Sequence, residues 1–86
     1  MVDKSAMRKT VYIDTEYIQL DALMKWARLV MSGGEAKMCI QEGDVEVNGV
    51  TETRRSRKVR PGDTVIYAGT AVSVARKEGD SGASAS

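Results

Sequence analysis

The period of the hydrophobic pattern changes along the chain, and each change predicts an element. Thr10-Val11-Tyr12-Ile13-Asp14 is β-branched and aromatic, bounded by charge, and predicts a short strand. Asp14 or Thr15 then opens a turn. Leu20, Leu23, Met24, Ala27 and Met31 recur at i, i+3, i+4, i+7 and i+11, which is one face of a helix. Asp21, Lys25 and Arg28 fall in a narrow stripe on the other side, and Trp26 flanks the apolar face. This helix should stop between Val30 and Ser32, ahead of Gly33-Gly34. Ser32-Gly33-Gly34-Glu35 fits a capping box, with Ser32 as N-cap and Glu35 three residues on. The second helix would turn Ala36, Cys39 and Ile40 inward and end at Gly43, where a left-handed residue is needed.

From Asp44 the period is two. Asp44-Val45-Glu46-Val47 alternates, and Asn48-Gly49 is a strong two-residue hairpin signal, because a type I′ turn needs positive φ twice. Val50-Thr51-Glu52-Thr53 returns from the turn. A basic run follows as a loop. Pro61-Gly62-Asp63 turns the chain into the strand Thr64-Val65-Ile66-Tyr67. Ala68-Gly69-Thr70 turns again, and Ala71-Val72-Ser73-Val74-Ala75 closes the domain. The expected class is α+β, with two short helices packed on a small, mostly antiparallel sheet. Residues 1–8 read as a flexible N-terminus and residues 9–77 as the working domain. Residues 78–86, small and polar, read as a disordered tail.

Composition narrows the possible functions. Eighty-six residues make one domain at most, with no Phe and one Trp to fill its core. The lone Cys39 cannot form an internal disulfide, which suits a reducing compartment. Without His or a Cys pair, no common zinc site can be built, and no cofactor is expected. No nucleophile stands with a base in a recognisable motif, so no enzyme is expected. The N-terminus has no apolar stretch after its charges, and no run approaches a membrane span. The expectation is a soluble, cytoplasmic monomer with neither membrane nor small-molecule substrate.

Charge is where the sequence departs from blandness. Arg54-Arg55-Ser56-Arg57-Lys58-Val59-Arg60 holds five of the 13 Lys and Arg and no acid, so the rest of the chain nets −4. Such a patch suits phosphate, since each contact releases condensed counterions, and guanidinium forks onto phosphate oxygens. A solvated surface loop would fit the run equally well. Lys25 and Arg28 lie one turn apart on the first helix, with Asp21 as an alternative partner for Lys25. Lys37 sits in the first turn of the second helix, where the dipole gives a cation no benefit. Trp26 and Tyr17 could stack on bases, but packing is the plainer expectation for both.

The order of these features resembles the S4 RNA-binding domain. The resemblance is carried by Leu20-Asp21, Ala27-Arg28, Ser32-Gly33-Gly34-Glu35-Ala36-Lys37, Ile40, Gly43-Asp44-Val45-Glu46-Val47-Asn48-Gly49 and Arg57-Lys58-Val59-Arg60-Pro61-Gly62-Asp63-Thr64-Val65. It covers about residues 18–67. Its length, Gly-Gly turn and Arg-rich run are most similar to the small stand-alone bacterial YaaA/YbcJ-like members. The resemblance implies the αL motif and a structured RNA, such as that of a ribosomal subunit or a tRNA, as partner. It implies an RNA surface of Lys25, Arg28, Lys37, Arg54, Arg55, Arg57 and Lys58. Gln19 and Gly33 stand where many such domains carry a basic residue, which shifts the expected weight onto the loop. The alternatives are an adaptor that uses the same fold on an acidic protein and, more remotely, DNA binding, for which a short second helix with Lys37 as its cation is poorly suited.

Overall fold

A computed structural model of the protein describes residues 7–77; the expectations for residues 1–6 and for the 78–86 tail lie outside them. The period-two segments form a five-stranded sheet. Its strands are β1 (Met7–Ile13), β3 (Val45–Val47), β4 (Val50–Thr51), β6 (Thr64–Tyr67) and β7 (Thr70–Arg76). The spatial order is β1-β7-β6-β3-β4. β1 runs parallel to β7, and every other pair is antiparallel. A second, two-stranded ladder joins β2 (Ile18–Gln19) to β5 (Lys58–Val59). The helices are α1 (Leu20–Trp26) and α2 (Gly33–Gln41).

Alternation decides what the sheet buries. Val11, Ile13, Val45, Val47, Val65, Val72 and Val74 face one side and are buried. Leu20, Leu23 and Met24 of α1 and Ala36 and Ile40 of α2 close over them. Each of the Val, Leu, Ile and Met side chains contributes about 1.5–3 kcal/mol on leaving water. The opposite face is uncovered. Thr10 and Thr64 flank Ser73 across it, beside a partly exposed Ile66. One covered and one wet face is the usual arrangement of an antiparallel sheet. The Asn48-Gly49 turn has the expected positive φ at both residues, 54° and 84°.

Three sequence expectations need correction. The strand expected from Thr10 begins at Met7, because Met7 and Arg8 pair with Thr70 and Ala71 of β7. The first helix ends at Trp26, well before Val30. Arg28 adopts φ 63°, and the Leu29 N–H reaches back to the Met24 carbonyl at 2.9 Å. That is a Schellman stop, built here on a non-glycine residue. The Lys9 ammonium closes the same end by donating to the Ala27 carbonyl at 2.8 Å. The early stop changes which residues pack: Val30 is buried in place of Met31, which is 90% exposed. Trp26, expected to pack, is 57% exposed. Finally, the basic run is not all loop, since Lys58 and Val59 form β5.

The second helix begins as expected. Ser32 Oγ accepts from the Glu35 N–H at 3.2 Å, while Glu35 Oε1 accepts from the Met31 N–H rather than from Ser32 itself. Cys39 is half-buried, with Sγ 3.1 Å from the Tyr67 hydroxyl. That hydrogen bond, with burial and nearby negative charge, pushes the Tyr67 phenol up to about 12.

Candidate nucleic-acid interface

The basic segment is anchored from below by an acid. β4 leads directly into Glu52, whose N–H donates to the Val45 carbonyl at 2.9 Å and which is 8% exposed. Its Oε2 accepts from Arg54 Nε at 3.2 Å and from the Arg54 N–H at 3.0 Å. Its Oε1 accepts from Arg57 Nη1 at 2.8 Å. The Arg54 side-chain bond, followed by those of the Arg57 side chain and the Arg54 backbone, holds the carboxyl at about 2 against the opposing effect of burial. A buried carboxylate is tolerated because all this pairing satisfies it. Among the described residues, both ion pairs are made by Glu52.

The same segment closes the start of α1. Gln19, at the N-cap position, makes no side-chain cap. Instead, the Leu20 N–H donates to the Arg57 carbonyl at 2.9 Å and the Asp21 N–H to the Arg55 carbonyl at 3.1 Å. Two of the helix's otherwise unpaired donors are thereby satisfied by the basic segment's own backbone. β5 fixes the segment again, pairing Lys58 with Gln19 and Val59 with Ile18. The Lys58 ammonium lies 4.9 Å from the ring centre of Tyr17, a cation–π contact.

Downstream, the Arg60–Asp63 turn closes with the Asp63 N–H on the Arg60 carbonyl at 2.9 Å. Asp63 Oδ2 accepts from the Arg60 N–H at 2.9 Å, and Oδ1 from the Asn48 amide at 3.0 Å. Burial alone would raise the Asp63 carboxyl. The Arg60 N–H, the Asn48 amide and the charges of Arg57 and Arg60 outweigh it, and the group is lowered. Asn48 Oδ1 in turn accepts from the Thr64 N–H at 3.0 Å, tying the hairpin tip to this turn. Between these anchors lies an open concavity of about 460 Å³ lined by Arg54, Ser56, Arg57, Lys58, Arg60 and Asp63.

The helices place further exposed cations beside this segment. Asp21 abuts Arg55, and Lys25 lies one turn further along the same face of α1. A Cβ on Gly33 would sit 3.9 Å from Lys25 Cδ, so the Lys25 stem passes over the first residue of α2. Lys37 follows one turn along α2 from Gly33. Lys25, Lys37, Arg54 and Arg55 are all exposed, and Arg57 is half-buried by its pairing. Arg28 is exposed too, but on the turn after α1 rather than on its polar face. It shares with Lys25 a concavity of about 360 Å³.

Glu52 is the residue that sequence reasoning undervalued. In the sequence it is only part of the segment that returns from the Asn48-Gly49 turn; in the fold it pairs with Arg54 and Arg57 and makes the run less unbalanced than its composition. Extending the β3–β4 register one residue past Thr51 sets Glu52 opposite Val45, on the inward side, but a charged residue at a strand end gives little reason to expect burial there. The carbonyl caps from Arg55 and Arg57 carry no side-chain signature at all. Among the described residues, no group of three or more His, Cys, Asp or Glu could hold a metal ion. No helix there is long and apolar enough to cross a membrane.

Comparison with known proteins places this geometry in company. Residues 11–75 match a family model described as an S4 domain. Over 63 residues the chain is 41% identical to the Bacillus subtilis (strain 168) protein named "Probable ribosome maturation protein RlbA", spanning 73% of this chain and 89% of that one. Over 58 residues it is 41% identical to YbcJ of Escherichia coli (strain K12), spanning 67% and 83%. The solution structure of the E. coli YbcJ, described as revealing an αL motif involved in RNA binding, superposes with a TM-score of 0.65 at 34% identity, over 87% of this chain and 96% of that one.

Proposed function

Since this chain belongs to the S4-domain family, we propose that it binds structured RNA without chemistry of its own, with ribosomal or ribosome-associated RNA as the first candidate. The observation that carries the reading is the anchored basic segment Arg54–Arg60, with Lys25 and Lys37 exposed on the adjoining helices. Its loop is held by backbone bonds to α1, by β5 and by Glu52. Cations held in place lose less freedom on meeting a phosphate ladder than cations on a mobile loop. An extended, positively charged surface with no deep cleft suits RNA recognised by shape and backbone. The αL motif of the E. coli relative, described as involved in RNA binding, and the ribosome-maturation name of the B. subtilis relative support the same direction.

In this reading Arg54, Arg55, Arg57 and Lys58 contact phosphates, and Lys25, Arg28 and Lys37 continue the contact along the helices. The test must spare Arg54 and Arg57, because their removal would leave the Glu52 carboxylate unpaired and confuse folding with binding. Arg55→Ala and Lys37→Ala remove one cation from the segment and one from α2 and leave Glu52 untouched. Binding to a structured ribosomal RNA fragment should fall steeply with salt, and the double variant should lower that slope by about 1.5. A wild-type protein that fails to bind the fragment at low salt, or a double variant with an unchanged slope, counts against the proposal.

A further inference from the structure

Trp26 is the last residue of α1, and its exposed indole sits where two concavities meet. One, of about 500 Å³, is lined by Lys9, Thr10, Val11, Tyr12 and Ala27 beside Trp26. The other, of about 360 Å³, is lined by Lys25, Arg28, Val30 and Met31 beside it. Neither contains an acid. Leaving a large aromatic side chain in water forgoes burial that a core position would supply. The chain does so next to two exposed cations, Lys25 and Arg28, which already belong to the proposed RNA surface.

Arg28 adds an independent observation. It holds the left-handed position of a Schellman stop, with φ 63°, where glycine is the default. A side chain there is strained, because its Cβ crowds the following carbonyl. Strain kept at an exposed position points to a use for the side chain. The fold fixes Arg28 there through the Arg28 N–H to Lys25 carbonyl bond at 3.0 Å, so the two cations and the indole share one turn.

We infer that the Trp26 shelf is a second RNA subsite, which takes an unpaired nucleotide by stacking its base on the indole while Lys25 and Arg28 hold its phosphates. This rests on the RNA reading above and extends it. The duplex or structured part lies along the basic segment and the helix line, and a flanking or bulged nucleotide leaves the stack to meet Trp26. An indole face accepts any base, and a base already stacked inside a duplex has no face to offer. Lys9, on the other side of the indole, uses one of its three ammonium donors on the Ala27 carbonyl and adds its positive charge to the shelf. Charge decides the occupant: an uncharged apolar partner would gain nothing from Lys25 and Arg28, and both concavities are free of acid.

Trp26 is the chain's sole tryptophan, so its emission reports on this shelf alone. The test uses two RNA hairpins with the same stem, one blunt and one with a short single-stranded overhang, followed by anisotropy of labelled RNA and by intrinsic fluorescence. The overhang should tighten binding about tenfold and quench the emission, in line with ~1–3 kcal/mol per stacked base. Trp26→Ala should reduce affinity for the overhang hairpin to that for the blunt one, and Trp26→Phe, which keeps a π face, should retain part of the preference. If both hairpins bind equally and neither quenches, the subsite is overturned and RNA binding by the basic line stands. If neither hairpin binds at low salt, the RNA reading fails and the subsite with it. A blue shift that grows with protein concentration without RNA means that a second copy covers the shelf, and also overturns the inference.

Discussion

Replacing Glu52 with Gln tests the anchoring of the basic segment. The side chain keeps its shape and one carbonyl acceptor but loses its charge. In the folded protein the carboxyl is held at about 2, against an ordinary 4.5. At about 1.4 kcal/mol per unit, that difference sets an upper limit of about 3.4 kcal/mol on what ionisation of this group contributes to stability. The real figure is smaller, because the Arg54 side chain is 73% exposed and water screens its share. About 1–2 kcal/mol is the expected loss at pH 7.

The direction with pH follows from which state takes the proton first. As pH falls, the unfolded chain protonates Glu52 near 4.5 while the folded protein stays ionised to about 2. The contribution is therefore complete above 4.5 and disappears as pH falls through 2. Urea midpoints measured from pH 7 to pH 2 should show the wild type losing the increment over that window and Glu52→Gln lacking that component. Equal midpoints at pH 7, or acid limbs that run parallel throughout, would refute the assignment. RNA binding supplies a second readout with opposing expectations. Deleting a negative charge should tighten binding if charge alone matters. If Glu52 acts by holding two guanidinium groups in place, binding should weaken about fivefold or more, from the ordering cost of two side chains.

Two further outcomes follow from the turns. Arg28→Gly relieves the left-handed strain at φ 63° and should stabilise the fold by about 0.5–1 kcal/mol in denaturant melts, while weakening RNA binding and reducing its salt slope by one contact; a variant that gains stability and binds as tightly as the wild type removes Arg28 from the interface. Asn48→Ala loses a positive-φ residue and both bonds to the Asp63–Thr64 turn, for a cost of about 2 kcal/mol. Asn48→Gly, which keeps the turn and loses only the bonds, should cost roughly half of that by the same measurement. A larger loss for Gly than for Ala would show that the positive φ at this position is not what the alanine sacrifices.

How much of this was legible depended on whether a feature lives in side-chain pattern or in backbone pairing. The helix order, the Ser32 cap, the Asn48-Gly49 hairpin and the last two strands follow from period and turn chemistry, which adjacent residues carry. The end of α1 does not. Helical spacing continues through Ala27 to Met31 in the sequence, yet Arg28 turns left-handed and Leu29 bonds back to Met24. Nothing in the side chain of an arginine announces that conformation, as a glycine would have done. That one stop accounts for the misplacement of Met31 and Trp26, and it moves Arg28 off the helix. The two-residue ladder of β2 and β5 was hidden for another reason: Ile18-Gln19 and Lys58-Val59 are too short for any alternation to register.

The missing side-chain cap at Gln19 and the borrowed one at Ala27 have a common consequence. Seven residues are too few for α1 to be stable alone, since a helix of that length barely repays its nucleation. Its N-terminal donors are satisfied by carbonyls of Arg55 and Arg57, and its C-terminal end by Lys9 and the Arg28 turn. Both ends of the helix are thus closed by segments that carry the proposed RNA-contacting cations. The cations at one end belong to the basic segment, and those at the other surround Trp26. Movement of either segment would open an end of α1 and draw Leu20, Leu23 and Met24, all fully buried, away from the sheet. The rigidity of the proposed binding line is therefore not a property of the charged side chains, and within the basic segment only Val59 reaches the core. That rigidity is the stability of the core, transmitted through the helix to both groups of cations.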